Sequence, residues 1–175
     1  MSAPTSPVST AIEVVNLFDK VSQLIKSNVV VHMPQFASAL PPGVDPNKAA
    51  SWTGWSPKPQ SLQNTVVYEP KSSLFSDTKF HLGVRFNYGG REVGKPWSYV
   101  KDLEAFAILD SVTLLNELDV EVKFASTGTP IDSLHSVMLT GSFNCTQSHK
   151  VWGVEFSQFY SIKVFGNGAC EIAPV

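Results

Sequence analysis

The chain has 175 residues, of which 43% are hydrophobic and 16% are charged, and its formal net charge is -2. This length suits one domain with one hydrophobic core, and the composition is far from that of a disordered protein. The 13 basic residues are scattered along the sequence, so we find no strong signal for nucleic-acid binding. The low net charge favours self-association, because repulsion between like charges keeps copies of a protein apart and a net charge of -2 supplies little of it.

Membrane and secretion signals are weak in the sequence. No stretch approaches the roughly 18 apolar residues that cross a bilayer, and the first ten residues lack the basic and apolar regions of a secretory signal. We therefore expect no membrane span and a cytoplasmic location when the chain is made. The same reasoning favours unpaired thiols over a disulfide for Cys145 and Cys170.

The N-terminal region divides into an arm and a helix. Residues 1–9 contain Pro4 and Pro7, which favour an extended arm. Thr10 and Glu13 have the spacing of a capping box, which predicts an amphipathic helix over 10–28. Its apolar stripe either covers the chain's own sheet or binds a neighbouring copy, and a membrane-lying helix is a further alternative. The candidate assembly contacts on this stripe are Val14, Phe18, Val21 and Ile25.

A long proline-rich loop is predicted over 37–60, since five prolines and two glycines interrupt regular structure there. This loop carries Trp52 and Trp55. They either plug the bottom of the core or form a candidate surface on which a ring-shaped ligand could stack, to which Trp97 and Trp152 could also contribute.

The remaining sequence has the period of two that is typical of half-buried strands. It predicts strands at 29–33, 64–68, 79–88, 97–109, 118–124, 137–143, 151–156, 160–164 and 169–172. A turn is predicted at Gly89-Gly90 and a hairpin at Gly166-Asn167-Gly168, whereas 110–117 fits either a short helix or a strand end. The predicted core comprises Phe80, Leu82, Val84, Phe86, Val120, Val122, Val137, Leu139, Ile162 and Val164.

About eight strands with one helix predict a mostly β fold, a β-sandwich of jelly-roll type that occupies residues 29–175 as a single domain.

The sequence contains no convincing set of catalytic or metal-binding residues. The four histidines lack the i, i+2 or i, i+4 spacing of ligands on one element. Cys145 with His149 is a weak nucleophile and base pair, and Asp102 with Glu104 is a carboxylate pair that surface solvation explains as well. We therefore predict no catalytic residues, no metal and no cofactor, and we expect a protein that is not an enzyme.

A chain rich in Ser, Thr, Pro and Val, with a proline-containing arm, low charge and about eight predicted strands, resembles the coat proteins of small icosahedral viruses in composition and architecture. The resemblance implies a capsid protein that assembles with itself into the shell of a virion. The chain departs from the many such coats that carry a basic arm. The alternative is a cytosolic, lectin-like β-sandwich that binds a carbohydrate or other ligand through Trp52 and Trp55.

Overall fold

The computed structural model describes residues 29–32, 37–41, 45, 48, 52–59, 61, 65–68, 70, 79–111 and 116–175. The predicted arm and helix lie outside these residues, and with them the candidate contacts Val14, Phe18, Val21 and Ile25. The described residues contain no α-helix and a single 3-10 turn, Asp132–Leu134. Their strands are β1 (Val29–His32), β2 (Ala37–Ala39), β3 (Trp52–Thr53), β4 (Ser56–Lys58), β5 (Thr65–Tyr68), β6 (Lys79–Glu92), β7 (Tyr99–Ser111), β8 (Asn116–Phe124), β9 (Thr129–Ile131), β10 (Ser136–His149), β11 (Glu155–Phe165) and β12 (Cys170–Pro174).

The strands form two six-stranded sheets. Sheet I has the order β1-β8-β10-β11-β12, and β9 also pairs with β10. Sheet II has the order β2-β7-β6-β3, and β4 and β5 also pair with β6. Neighbouring strands are antiparallel except for β1, which runs parallel to β8.

The two sheets share one hydrophobic core, as expected for a sandwich. Alternate residues of β6 and β7 in sheet II, and of β8, β10 and β11 in sheet I, join one buried cluster. The predicted core is confirmed, because all ten of its residues are buried there: Phe80, Leu82, Val84, Phe86, Val120, Val122, Val137, Leu139, Ile162 and Val164. The mostly β prediction therefore holds.

Jelly-roll connectivity is not confirmed. A jelly roll consists of two Greek keys, in which a long connection carries the chain past its nearest neighbour. In the part of the chain that is described, β6 and β7, β10 and β11, and β11 and β12 are consecutive antiparallel neighbours within one sheet. These pairs have the connectivity of a meander.

The predicted turn at Gly89-Gly90 is wrong. Strand β6 continues through both glycines to Glu92, and its register with β7 shifts between Tyr88 and Gly90. Gly89 has a φ of 80°, and its N–H donates to the carbonyl of Gly166 at 2.7 Å. The glycines therefore form an irregularity inside a strand, a use of positive φ that looks like a turn in the sequence.

The prediction of an unstructured loop over 37–60 is also wrong in part, because β2, β3 and β4 lie within it. Strand β4 contains Pro57, which pairs with Asn87 of β6. Proline is tolerated in an edge strand because an edge residue can do without its N–H. The other strand predictions hold approximately, except that residues 151–154 of the strand predicted at 151–156 form a loop. The described residues on either side of 112–115 are strand.

Candidate functional site

The first candidate site, Trp52 and Trp55, lies against the end of sheet II. Trp52 pairs with Glu92 of β6 and is 5% exposed. Its Nε1 donates to the carbonyl oxygen of Asp45 at 2.9 Å. The ring centroid of Trp52 lies 5.4 Å from that of Trp55 and 5.5 Å from that of Tyr99, which it meets edge to face. Trp52 is therefore a packing residue of the fold.

Trp55 is half-buried, and two neighbours lie against its ring. A Cβ added to Gly90 would lie 2.2 Å from the indole, so the glycine backbone is in close contact with it. Nζ of Lys101 lies 5.0 Å from the ring centroid, a cation–π arrangement. The indole Nε1 is buried without a hydrogen-bond partner in the described chain. A ring-shaped ligand would have to displace Lys101 before it could stack on Trp55.

A different tryptophan, Trp152, is presented to solvent. The sequence predicts a strand at 151–156, but β10 ends at His149 and β11 begins at Glu155. The intervening loop is closed by hydrogen bonds from His149 N–H to the Val154 carbonyl and from Gly153 N–H to the His149 carbonyl, both 3.0 Å. Gly153 has a φ of 62°, which glycine adopts without strain.

His149 orients the Trp152 side chain. The imidazole is buried, and its Nδ1 accepts a hydrogen bond from the Val151 N–H at 3.2 Å. The indole stacks on it with a centroid distance of 4.5 Å and an interplanar angle of 12°. Trp152 nevertheless remains 60% exposed. One ring face is held by histidine, and the rest of the indole is available for contact.

The neighbours of Trp152 in the loop are apolar. Val151 is 67% exposed and Val154 is 42% exposed. Lys150, at the base of the loop, lies 3.7 Å from a carboxylate oxygen of Glu117 on β8. We call residues 150–154 the tip. In the sequence, the tip is a short apolar run between two alternating segments. Such a run is also typical of a buried strand, so the sequence does not reveal the loop.

Cys145 and His149 do not form a nucleophile and base pair. Both point inward from β10, four positions apart, which is about 13 Å along a strand. Burial raises the pKa of the Cys145 thiol to about 12, which disfavours the reactive thiolate. Cys170 is likewise unbonded, and burial raises its pKa to about 11. The expectation of free thiols is confirmed.

The carboxylates of Asp102 and Glu104 have separate partners. Glu104 accepts a hydrogen bond from Nε of Arg85 at 2.7 Å, and Asp102 accepts one from Nδ2 of Asn87 at 2.9 Å. Asp102 has a φ of 55° at a register shift in the pairing of β6 with β7. The two carboxylates are thus engaged in structural contacts on the surface of sheet II.

The described residues contain neither a cluster of metal-ligating side chains nor a membrane-spanning helix. No group of three or more His, Cys, Asp or Glu side chains there is placed to hold a metal ion. No helix within the same residues is both long and apolar enough to cross a membrane.

Comparison with known proteins returned no family model, no curated protein and no solved structure that matches this chain. Its function therefore has to be argued from its own geometry.

Proposed function

We propose that this chain is a self-assembling structural protein and, more specifically, the coat protein of a small icosahedral virus. The observation that supports self-assembly best is the edge of sheet I formed by β1. Within the described residues no strand pairs with the outer side of β1. The proposal assigns the chain no catalytic role and no cofactor.

Strand β1 is short, but it lacks the proline, the lysine and the register shift that discourage edge strands from pairing with other chains. Its sequence is Val-Val-Val-His, with no proline and no lysine, and its register with β8 is unbroken. Of the other edge strands, β2 has a register shift, β4 contains Pro57, and β12 ends at Pro174. Strand β5 has no such feature, but its edge is divided among three short strands, since β5, β4 and β3 follow one another along β6. An unprotected edge of β-branched residues is a template for another strand. We infer that this strand comes from a second copy.

Antiparallel pairing of β1 with β1 of a second copy would make sheet I continuous across a two-fold axis. The predicted helix is close to this edge in the sequence, since Ile25 precedes Val29 by four positions. A closed shell requires a further contact beyond a dimer, and we propose that the predicted stripe of Val14, Phe18, Val21 and Ile25 supplies it. Neither contact depends on jelly-roll connectivity.

The proposal is tested by the particle mass of the full chain and by cross-linking. Light scattering should give a mass many times the 19.1 kDa of one chain. Single cysteines introduced at positions 29 to 32, in a Cys170→Ser background, should form intermolecular disulfides at the positions nearest the two-fold axis. Val67→Cys, on the exposed part of edge strand β5, is the matched control and should not. A 19.1 kDa species across a range of salt and pH would refute the assembly function.

A lectin-like function is the second candidate. The observation that favours it is Trp152, whose indole is oriented by His149 and keeps an exposed face for a sugar ring. It ranks second because Val151 and Val154, beside it, cannot hydrogen-bond to sugar hydroxyls. Calorimetric titration with a panel of sugars, with Trp152→Ser as the control, would detect it.

A further inference from the structure

The tip is an apolar projection whose purpose the proposed assembly at β1 leaves unexplained. Val151, Trp152 and Val154 are three large apolar side chains exposed within four consecutive positions. A Cβ added to Gly153 would meet no atom within 4 Å, so the backbone between Trp152 and Val154 also faces open space. The tip therefore projects from the end of the β10 and β11 hairpin.

Part of the tip's backbone is already paired within the hairpin. The N–H groups of Val151 and Gly153 donate to Nδ1 and to the carbonyl of His149, and the Val154 carbonyl accepts from the His149 N–H. In a lipid environment, each backbone polar group without an internal partner costs several kcal/mol, so these bonds lower the cost of moving the tip out of water.

The side chains of the tip are graded from apolar to charged. Tryptophan is favoured at the boundary between lipid and water because its ring is apolar and its N–H is polar. Stacking on His149 fixes the Trp152 ring, so little side-chain freedom is lost on contact. Lys150 stands at the base beside Glu117, where headgroups would lie.

The size of the tip argues against a second protein surface as its partner. The three exposed side chains offer on the order of 300 Å² of apolar area, whereas a stable protein interface needs about 800 Å² on each partner. A bilayer requires no complementary shape and can receive a small projection. We propose that the tip inserts Val151, Trp152 and Val154 into the interfacial region of a lipid bilayer.

The test uses the full chain with vesicles of phosphatidylcholine, with and without phosphatidylserine. Binding is measured by flotation, and insertion by quenching of tryptophan emission with lipids brominated on their acyl chains. We expect the wild-type chain to float with the vesicles and to be quenched. Trp152→Ser should weaken binding by at least about tenfold, because the largest apolar side chain is lost. Val151→Ser should weaken it less.

Val93→Ser is the matched control. Val93 is 61% exposed, in the turn after β6, and the bridge between Ser98 and Ser136 places that turn at the opposite end of β10 from the tip. Its binding should equal that of the wild type. Absence of flotation, or equal binding by Trp152→Ser, would overturn the proposal.

A change in particle mass of Trp152→Ser without lipid would also overturn it, since the tip would then be a contact between copies. Particle mass and β1 cross-linking without vesicles report separately on the proposed function.

Discussion

Two regions of this protein carry tryptophan side chains, and the regions differ in how far the surrounding residues bury the indole rings. At the end of sheet II, Trp52 is buried, and Trp55 is half-buried with Gly90 and Lys101 against its ring. At the end of the β10 and β11 hairpin, Trp152 contacts His149 on one face and is otherwise exposed. The first region uses its indoles to stabilise the fold, and the second keeps its indole available for contact.

The difference shows that the fate of a tryptophan depends on long-range pairing. Trp52 and Trp55 lie in a proline-rich segment, for which the sequence leaves open both packing at the bottom of the core and exposure for ligand stacking. They are covered because β3 and β4 add to the edge of β6. Trp152 lies between two strongly alternating segments that suggest burial, and it is exposed because the strand stops at His149.

The largest effect on stability should come from truncating a buried tryptophan, and truncating the exposed one provides the comparison. Trp52→Ala should reduce the free energy of unfolding by about 3–5 kcal/mol, because it leaves a cavity beside Tyr99 and Trp55. Trp152→Ala should change it by less than about 1 kcal/mol, since an exposed side chain leaves no cavity. Urea denaturation measures both. Equal losses would mean that the tip is part of the packed fold.

The contact between Gly90 and Trp55 should be the next most sensitive feature. Gly90→Ala places a methyl group against the indole and should destabilise the protein by about 1–3 kcal/mol. In a Trp55→Ala background the same change should cost much less, because the obstructing ring is gone. A double-mutant cycle in urea measures the coupling between the two residues. Additive effects would show that Gly90 is needed for its backbone conformation alone.

The core could be predicted from the sequence because alternation is a local signal. Phe80, Leu82, Val84 and Phe86 fall on one side of any strand drawn through them, and all are buried. The irregularity at Gly89-Gly90 could not be predicted, since a glycine pair satisfies a hairpin turn and a disrupted strand equally well. The hydrogen bond that distinguishes the two cases, from the Gly89 N–H to the Gly166 carbonyl, joins residues that are far apart in the sequence.

The candidate site was less predictable than the fold. Nothing near Trp152 in the sequence reports its exposure, because that depends on where pairing of β10 with β11 ends. The stack on His149 joins residues three positions apart across a turn that the alternation concealed. The role predicted for Val14, Phe18, Val21 and Ile25 stays a prediction.

The stability of the protein at alkaline pH should reflect the burial of its two cysteines. The folded-state pKa values of Cys145 and Cys170 are raised by burial from 9.0 to about 12 and about 11. Above pH 9 the unfolded chain loses these protons and the folded chain keeps them, so unfolding becomes more favourable. The stabilising contribution is complete below pH 9 and is lost as pH rises through the folded-state values.

Denaturant titrations between pH 7 and 10 should therefore show stability declining from about pH 9. A variant with Cys145→Ala and Cys170→Ala, though less stable overall, should lose most of the slope between pH 9 and 10. Tyr68 contributes at higher pH, because burial also raises its pKa. A slope that persists in the double variant would assign the effect to other groups.

The smallest effect should come from uncovering Trp55, which would make the first region resemble the second. Lys101→Ala removes the ammonium above the ring and should cost about 0.5–1 kcal/mol, the usual size of an accessible cation–π contact. It should also expose one indole face.

Acrylamide quenching of tryptophan emission should then detect a newly accessible indole besides Trp152. Lys123→Ala, which removes an exposed lysine from the outer face of β8, is the control and should leave the quenching unchanged. Unchanged quenching in Lys101→Ala would mean that other neighbours of Trp55, and not the lysine, shield its ring. The two tryptophan regions would then differ only in how deeply their indoles are packed.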